Sequence, residues 1–188
     1  MTDFSMPFFR KIKSFLFALL LVSATAGAEG IGVKSATISP GDSGYVFNAE
    51  FSLELTPTLE NMLDRGIPLT FLVRVEVQEA RWYWFNRSVV KLGQERRIIY
   101  NPITRSWRYS IGSLYLSFTS LADALRAISR VEGMPLLPMG GLVKGHSYKV
   151  QASMELGVEQ LPKPFQIDAI SSSDWRLESV PLQWSYTP

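Results

Sequence analysis

Hydrophobic and polar residues alternate most regularly in three segments of the chain. Tyr45, Phe47, Ala49, Phe51, Leu53 and Leu55 interleave with Val46, Asn48, Glu50, Ser52 and Glu54. That is the period of a strand with one face in a core and the other in water. Leu69, Phe71, Val73, Val75 and Val77 alternate in the same way with Thr70, Arg74, Glu76 and Gln78, as do Tyr148, Val150, Ala152, Met154 and Leu156 with Lys149, Gln151, Ser153 and Glu155. Weaker patterns predict further strands over 33–38, 96–101, 105–111, 164–170 and 174–184. Half-wet strands of this kind suit antiparallel sheets.

Two short helices are expected between the strands. Thr56 offers an N-cap hydroxyl, Pro57 fits the first helical position, where its missing N–H costs nothing, and Gly66 supplies a left-handed residue to end the turn. Ser120 followed by Asp123 resembles a capping box, and Leu121, Leu125 and Ile128 then form an apolar stripe reaching about Val131. Gly133, Pro135, Pro138, Gly140 and Gly141 read as a loop. Repeated half-buried strands must cover their apolar faces on one another. The fold expected is therefore mainly β: a single domain over 29–188, built as an antiparallel two-sheet β-sandwich of immunoglobulin-like architecture, with seven to nine strands and two short helices.

The first 28 residues read as a secretory signal peptide. Arg10, Lys11 and Lys13 make a positive start, Phe15 to Val22 an apolar run, and Ala26-Gly27-Ala28 a small-residue cleavage site. An uncleaved anchor is the competing reading, but the apolar stretch from Ser14 to Ala28 falls short of the roughly 20 residues that span a bilayer. The chain is thus expected to be periplasmic, with no transmembrane helix once the signal is cut. Losing Arg10, Lys11, Lys13 and Asp3 from 19 basic and 17 acidic residues leaves 16 of each. A neutral domain argues against nucleic-acid binding, whose footprint is basic. With no cysteine among the 188 residues, disulfides, thiolate metal sites and thiol catalysis are excluded, and stability must come from packing.

The most unusual local feature is the aromatic run Arg81-Trp82-Tyr83-Trp84-Phe85. An unbroken strand from Ile67 would bury Tyr83 and Phe85 and expose Trp82 and Trp84. A bulge near Glu79 and Ala80 would exchange the two faces. The rings therefore read either as core cover or as a platform for a glycan or protein partner. Arg96, Arg97, Arg105 and Arg108 fall on two strands joined by a turn at Asn101-Pro102, as edge charges or as an anionic-ligand patch. In Leu161-Pro162-Lys163-Pro164-Phe165 the prolines favour an extended, rigid lead into the next strand, with a recognition ledge as the alternative.

Arg81-Trp82-Tyr83-Trp84, Tyr100-Asn101-Pro102-Ile103-Thr104-Arg105-Ser106-Trp107-Arg108, Leu161-Pro162-Lys163-Pro164-Phe165-Gln166 and Asp174-Trp175-Arg176-Leu177 together resemble the exported proteobacterial family of unknown function DUF4390. The resemblance covers nearly all of the chain after residue 28. It implies an envelope-facing protein of Gram-negative bacteria, often encoded beside a membrane sensor histidine kinase, and it brings no known activity. Trp107 stands where the family is expected to carry tyrosine.

Catalytic constellations are thin. His146 is the one histidine and reads as a turn or surface residue. No G-x-S-x-G elbow, phosphate loop or dinucleotide fingerprint occurs. Asp168, Asp174 and Glu178 could supply a carboxylate pair for glycoside chemistry, a weakly specific signal. The expected function is a non-enzymatic binding or interaction module without cofactor or metal, linked to envelope sensing through a protein such as the sensor kinase. The alternative is a carbohydrate- or peptidoglycan-associated protein. The residues singled out for binding are Arg81, Trp82, Tyr83, Trp84, Arg105, Arg108 and Lys163.

Overall fold

Alternation along the chain becomes two stacked antiparallel sheets in the computed structural model, which describes residues 30–79 and 86–188. The expected signal segment and the aromatic run Arg81–Phe85 lie outside the described residues. Nine strands are described: β1 Ile31–Pro40, β2 Gly44–Leu53, β3 Leu69–Glu79, β4 Arg87–Asn101, β5 Ser106–Ile111, β6 Leu114–Phe118, β7 Arg130–Pro138, β8 Tyr148–Leu156 and β9 Leu182–Tyr186. A three-stranded sheet has the order β1-β2-β7, and a six-stranded sheet the order β6-β5-β4-β3-β8-β9. The mainly β, sandwich-like expectation holds. The three-and-six division of strands differs from the four-and-three division of an immunoglobulin constant domain.

The core lies between the sheets. Tyr45, Phe47, Ala49 and Phe51 of β2 face Phe71, Val73, Val75 and Val77 of β3, with Val150, Ala152 and Met154 of β8 beside them, all buried. Each such aliphatic or phenyl side chain contributes about 1.5–3 kcal/mol on burial, so the three regular strands carry a large share of the driving force. Tyr45 meets Tyr186 of β9 edge to face at 6.3 Å, closing one side of the sandwich.

Three α-helices lie among the described residues: α1 Pro57–Asp64, α2 Leu121–Ser129 and α3 Lys163–Ser171, with 3-10 turns at Val158–Gln160 and Ser173–Trp175. In α1 the Thr56 hydroxyl accepts from the Leu59 N–H, Pro57 opens the helix, and Gly66 follows it at φ 79°. In α2 the Ser120 hydroxyl accepts from the Asp123 N–H at 3.1 Å and donates to the Asp123 carboxylate at 2.7 Å. Both capping predictions hold.

The third helix corrects the strand expected over 164–170, and with it the extended reading of Leu161–Phe165. Lys163 and Pro164 are its first two residues, where proline's lack of an N–H is harmless. The Phe165 N–H bonds the Pro162 carbonyl, and the Gln166 amide ties the helix to the Glu159 and Leu161 carbonyls. Phe165 stacks on Trp175 at 6.0 Å, giving the helix an anchor. The strand expected over 174–184 is likewise shortened to β9, after a 3-10 turn and an isolated bridge between Glu155 and Glu178.

Two further differences concern β4 and β7. The first is 15 residues long and extends well before residue 96. The second carries Gly133, Pro135 and Pro138, which read as a loop in sequence. A sheet-edge position accommodates those prolines, because an edge strand has no neighbour waiting for their missing N–H groups. A register shift does occur near the aromatic run, but opposite Val77 and Gln78, where β4 supplies Val89 as the extra residue.

Candidate interaction edge

β6 is the outermost strand of the six-stranded sheet, and a two-residue turn creates it. Ile111 pairs with Leu114 across Gly112-Ser113, and Gly112 has φ 53°, a conformation that favours glycine. From there the register runs without a shift, with Ser110 opposite Tyr115, Tyr109 opposite Leu116, Arg108 opposite Ser117 and Trp107 opposite Phe118. Ile111 and Leu114 close the turn as a hydrogen-bonded pair, so bonded and non-bonded pairs alternate beyond it. Leu114, Leu116 and Phe118 therefore direct their backbone groups to β5. Tyr115 and Ser117 direct theirs outward, where no described strand receives them.

The side chains of β6 sort by the same parity. Trp107 and Tyr109 face the core and are buried, which puts Leu114, Leu116 and Phe118 on the core side too. Yet Leu114 and Leu116 are 54% and 42% exposed, because the sandwich ends before it covers them. On the opposite face Tyr115 is 62% exposed, and the Arg108 guanidinium lies 5.8 Å from the centre of its ring.

Two of the other three sheet edges, β1 and β7, carry features that discourage pairing. β1 ends in Pro40 and breaks register between Val33 and Ser35 around Lys34. β7 has two prolines and two register shifts. β9, like β6, has five residues with no charge, no proline and no shift against its neighbour, and differs in lying against β1, with its Tyr186 on Tyr45 of β2. Prolines, bulges, charges and covering elements are the usual means of keeping an edge from pairing with another chain. β6 has five residues, no charge, no proline and no shift against β5.

Arg96 anchors this end of the molecule from inside. Its register partner is Phe71, so it points into the core, and it is 3% exposed. Its Nη1 donates to the Ile128 carbonyl at 2.9 Å and to the Arg130 carbonyl at 2.6 Å, while Nε and Nη2 share the Gln94 amide oxygen. One guanidinium thus ties the end of α2 and the start of β7 to the larger sheet. Burial lowers its pKa, opposed by Tyr109. Burial raises the pKa of Tyr109, partly offset by Arg96. The sequence reading of Arg96 as one of four edge charges is thereby corrected: parity sends it to the core face and Arg97 and Arg108 to the other.

The remaining sequence candidates scatter. Arg105 sits in the β4–β5 turn at φ 48°, exposed, beside an Asn101 side chain that accepts from the Ile103 and Thr104 N–H groups. Arg108 lies on β5 against Tyr115. Lys163 begins α3, which packs on the two 3-10 turns and belongs to a different part of the molecule. Arg81, Trp82, Tyr83 and Trp84 lie outside the described residues. His146 is exposed, its Nδ1 3.8 Å from a Glu79 oxygen whose partner oxygen holds Arg87 at 3.1 Å. Sequence reading missed β6 itself, although a glycine-containing pair between Ile111 and Leu114, followed by Leu, Leu and Phe at period two, is a hairpin signal.

A separate groove of about 600 Å³ runs along the outer face of the large sheet. Arg74 clamps Glu155 there through two contacts of 2.7 and 2.9 Å, with Glu76, Lys91 and Glu178 nearby. Of the three acids considered for glycoside chemistry, Glu178 lines this groove, whereas Asp174 accepts a bond from Thr58 and lies within a 3-10 turn. Among the described residues no cluster of three His, Cys, Asp or Glu side chains could hold a metal ion, and no helix is long and apolar enough to cross a membrane.

These features define a two-sheet antiparallel β protein whose β6 edge meets no further described strand. The chain belongs to the family described as Domain of unknown function (DUF4390), whose model matches residues 28–185. No curated protein and no solved structure matches it.

Proposed function

We propose that this protein is a non-enzymatic interaction module of the periplasm, exported through its first 28 residues, which docks a polypeptide partner along β6. The observation that carries the reading is the contrast between edges. β6 turns the backbone groups of Tyr115 and Ser117 away from every described strand and exposes Leu114 and Leu116, while β1 and β7 are blunted by prolines and register shifts and β9 lies against β1. Strand addition uses such an edge directly, taking affinity from backbone bonds and specificity from alternate side chains. A link to envelope sensing, beside a membrane histidine kinase, follows from the family resemblance and belongs to the same proposal. The glycan alternative draws no support from the outer-face groove, whose described lining contains no aromatic ring.

The test is a photo-crosslinking amino acid at Tyr115 in living cells, with Ile167 on the exposed side of α3 as the control position. A discrete protein adduct at 115 and none at 167 is the expected result. Saccharide adducts, or no adduct at 115, would overturn the reading.

A further inference from the structure

We infer that the occupant of the β6 edge is the β6 strand of a second copy, joined antiparallel about a two-fold axis at Leu116, so that two six-stranded sheets become one. The inference rests on the reading of β6 as the interaction surface and names the partner.

Three features of the strand point to its own copy. The first is register. The outward residues Tyr115 and Ser117 stand one place to either side of Leu116. A two-fold axis there sets Tyr115 opposite the copy's Ser117, and Ser117 opposite the copy's Tyr115, so each pair exchanges both backbone bonds. Hydrogen-bonding parity and symmetry are satisfied together.

The second is side-chain complementarity. The same axis places Leu116 across from Leu116, and Leu114 across from Phe118, all on the core side of the joined sheet. Apolar groups left exposed at the end of one sandwich would be covered by their equivalents from the other. Opposed pairs of this kind lie about 4.5–5.5 Å apart between Cβ atoms. Beside Phe118, where the copy's Leu114 arrives, a cleft of about 440 Å³ is bordered by Ser117, Thr119, Asp123 and Arg126. The strand thus has receiving space at the end where a symmetric copy delivers its turn.

The third is charge. No residue of β6 is charged, so pairing it with itself opposes no like charges. The nearest cation on the outer face is Arg108, engaged with Tyr115. Across the joined sheet the two Arg108 residues stand three inter-strand steps apart, about 14 Å, beyond the Debye length of about 8 Å at physiological salt.

A five-residue ladder buries less than the roughly 1,200 Å² of a tight interface, so the dimer belongs to the weak, concentration-dependent class. Sedimentation of the purified protein from about 10 μM to about 1 mM covers that range and is expected to show a monomer–dimer equilibrium. Ser117→Pro removes an N–H that points away from β5, so the fold is kept, shown by an unchanged urea midpoint, while the dissociation constant rises at least tenfold. Leu116→Lys, which sets two ammonium groups face to face on the axis, is expected to act in the same direction.

Register is read independently by cysteine trapping, because the chain has no cysteine of its own. Opposed residues of a non-bonded pair fall within the 4.4–6.8 Å Cα separation of a disulfide, about 4.5 Å here. Under mild oxidation Leu116→Cys is expected to give a covalent dimer, and Tyr115→Cys, displaced from its own copy by two residues, much less. A monomer throughout the concentration range, or a dimer indifferent to both Ser117→Pro and Leu116→Lys, would overturn the inference. If the purified protein stays monomeric while the photo-crosslinker at Tyr115 captures a different protein, β6 is an interaction edge and the second copy is not its occupant. If it stays monomeric and nothing is captured, both readings fall.

Discussion

Replacing Arg96 with alanine is expected to destabilise the protein by about 3 kcal/mol, and the figure follows from what its guanidinium touches. Two backbone carbonyls, of Ile128 and Arg130, receive Nη1 at 2.9 and 2.6 Å. Hydrogen bonds from a charged donor are each worth about 1.5–3 kcal/mol net, so losing both costs about 3–6 kcal/mol. Against this stands relief of the charge's own desolvation, several kcal/mol for an isolated buried ion. That relief is partial here, because the donors are satisfied and the methylene stem is packed. Arg96→Met separates the terms: it keeps most of the volume and leaves the same carbonyls unpaired, so its loss should be smaller, about 1–2 kcal/mol. The assay is urea unfolding of the three proteins with a common m value, followed by far-ultraviolet circular dichroism. The reasoning fails if Arg96→Ala and Arg96→Met both lose less than about 1 kcal/mol, since the guanidinium would then contribute nothing to joining α2 and β7 to the sheet.

Two further outcomes are expected. Gly44→Ala should prevent stable folding, or cost about 3 kcal/mol or more, because Gly44 has φ 154° and an added Cβ would collide with the Leu137 carbonyl of β7; a thermal melt within a few degrees of wild type would contradict this. Tyr109 and Tyr186 both have pKa values raised by burial, so their contribution is intact below the unfolded tyrosine value of about 10 and is lost as pH rises through the folded values. Above about pH 10 the unfolded state releases protons that the native state keeps, and stability falls. Tyr109→Phe should flatten that fall, measured as the change in urea midpoint between about pH 8 and about pH 10.5.

How far the fold could be read depended on where each strand sits relative to the core. In β2, β3 and β8 every second residue is apolar because every second residue is buried, and alternation found all three. The caps of α1 and α2 were legible because Thr56 and Ser120 bond their own helices, a local interaction. β4 escaped over its first half because its core-side position Gln94 is polar, its amide oxygen accepting from Arg96, which in turn bonds the carbonyls of residues 128 and 130. α3 was read as a strand because two prolines bracketing Lys163 suit extended chain equally well, and the contact favouring helix, Phe165 on Trp175, is tertiary. For the candidate edge the sequence displayed Arg105 and Arg108 but concealed β6, whose pattern of apolar residues resembles a core strand. What makes β6 informative is the absence of a described neighbour, a property of the assembled sheet.

The position of β3 also sets the order in which the protein can be made. β3 to β6 follow one another as hairpins, so their pairings are local and close early. The other side of β3 waits for β8, whose partners run from Glu79 with Tyr148 to Phe71 with Leu156. Until those residues arrive, the most apolar strand of the chain has an open flank while its core face lacks Val150, Ala152 and Met154. Folding is therefore gated by a late, long-range closure, the kind of step that runs in milliseconds to seconds. During that interval β3 rather than β6 is the flank most exposed to mispairing, a vulnerability that the finished sheet no longer shows.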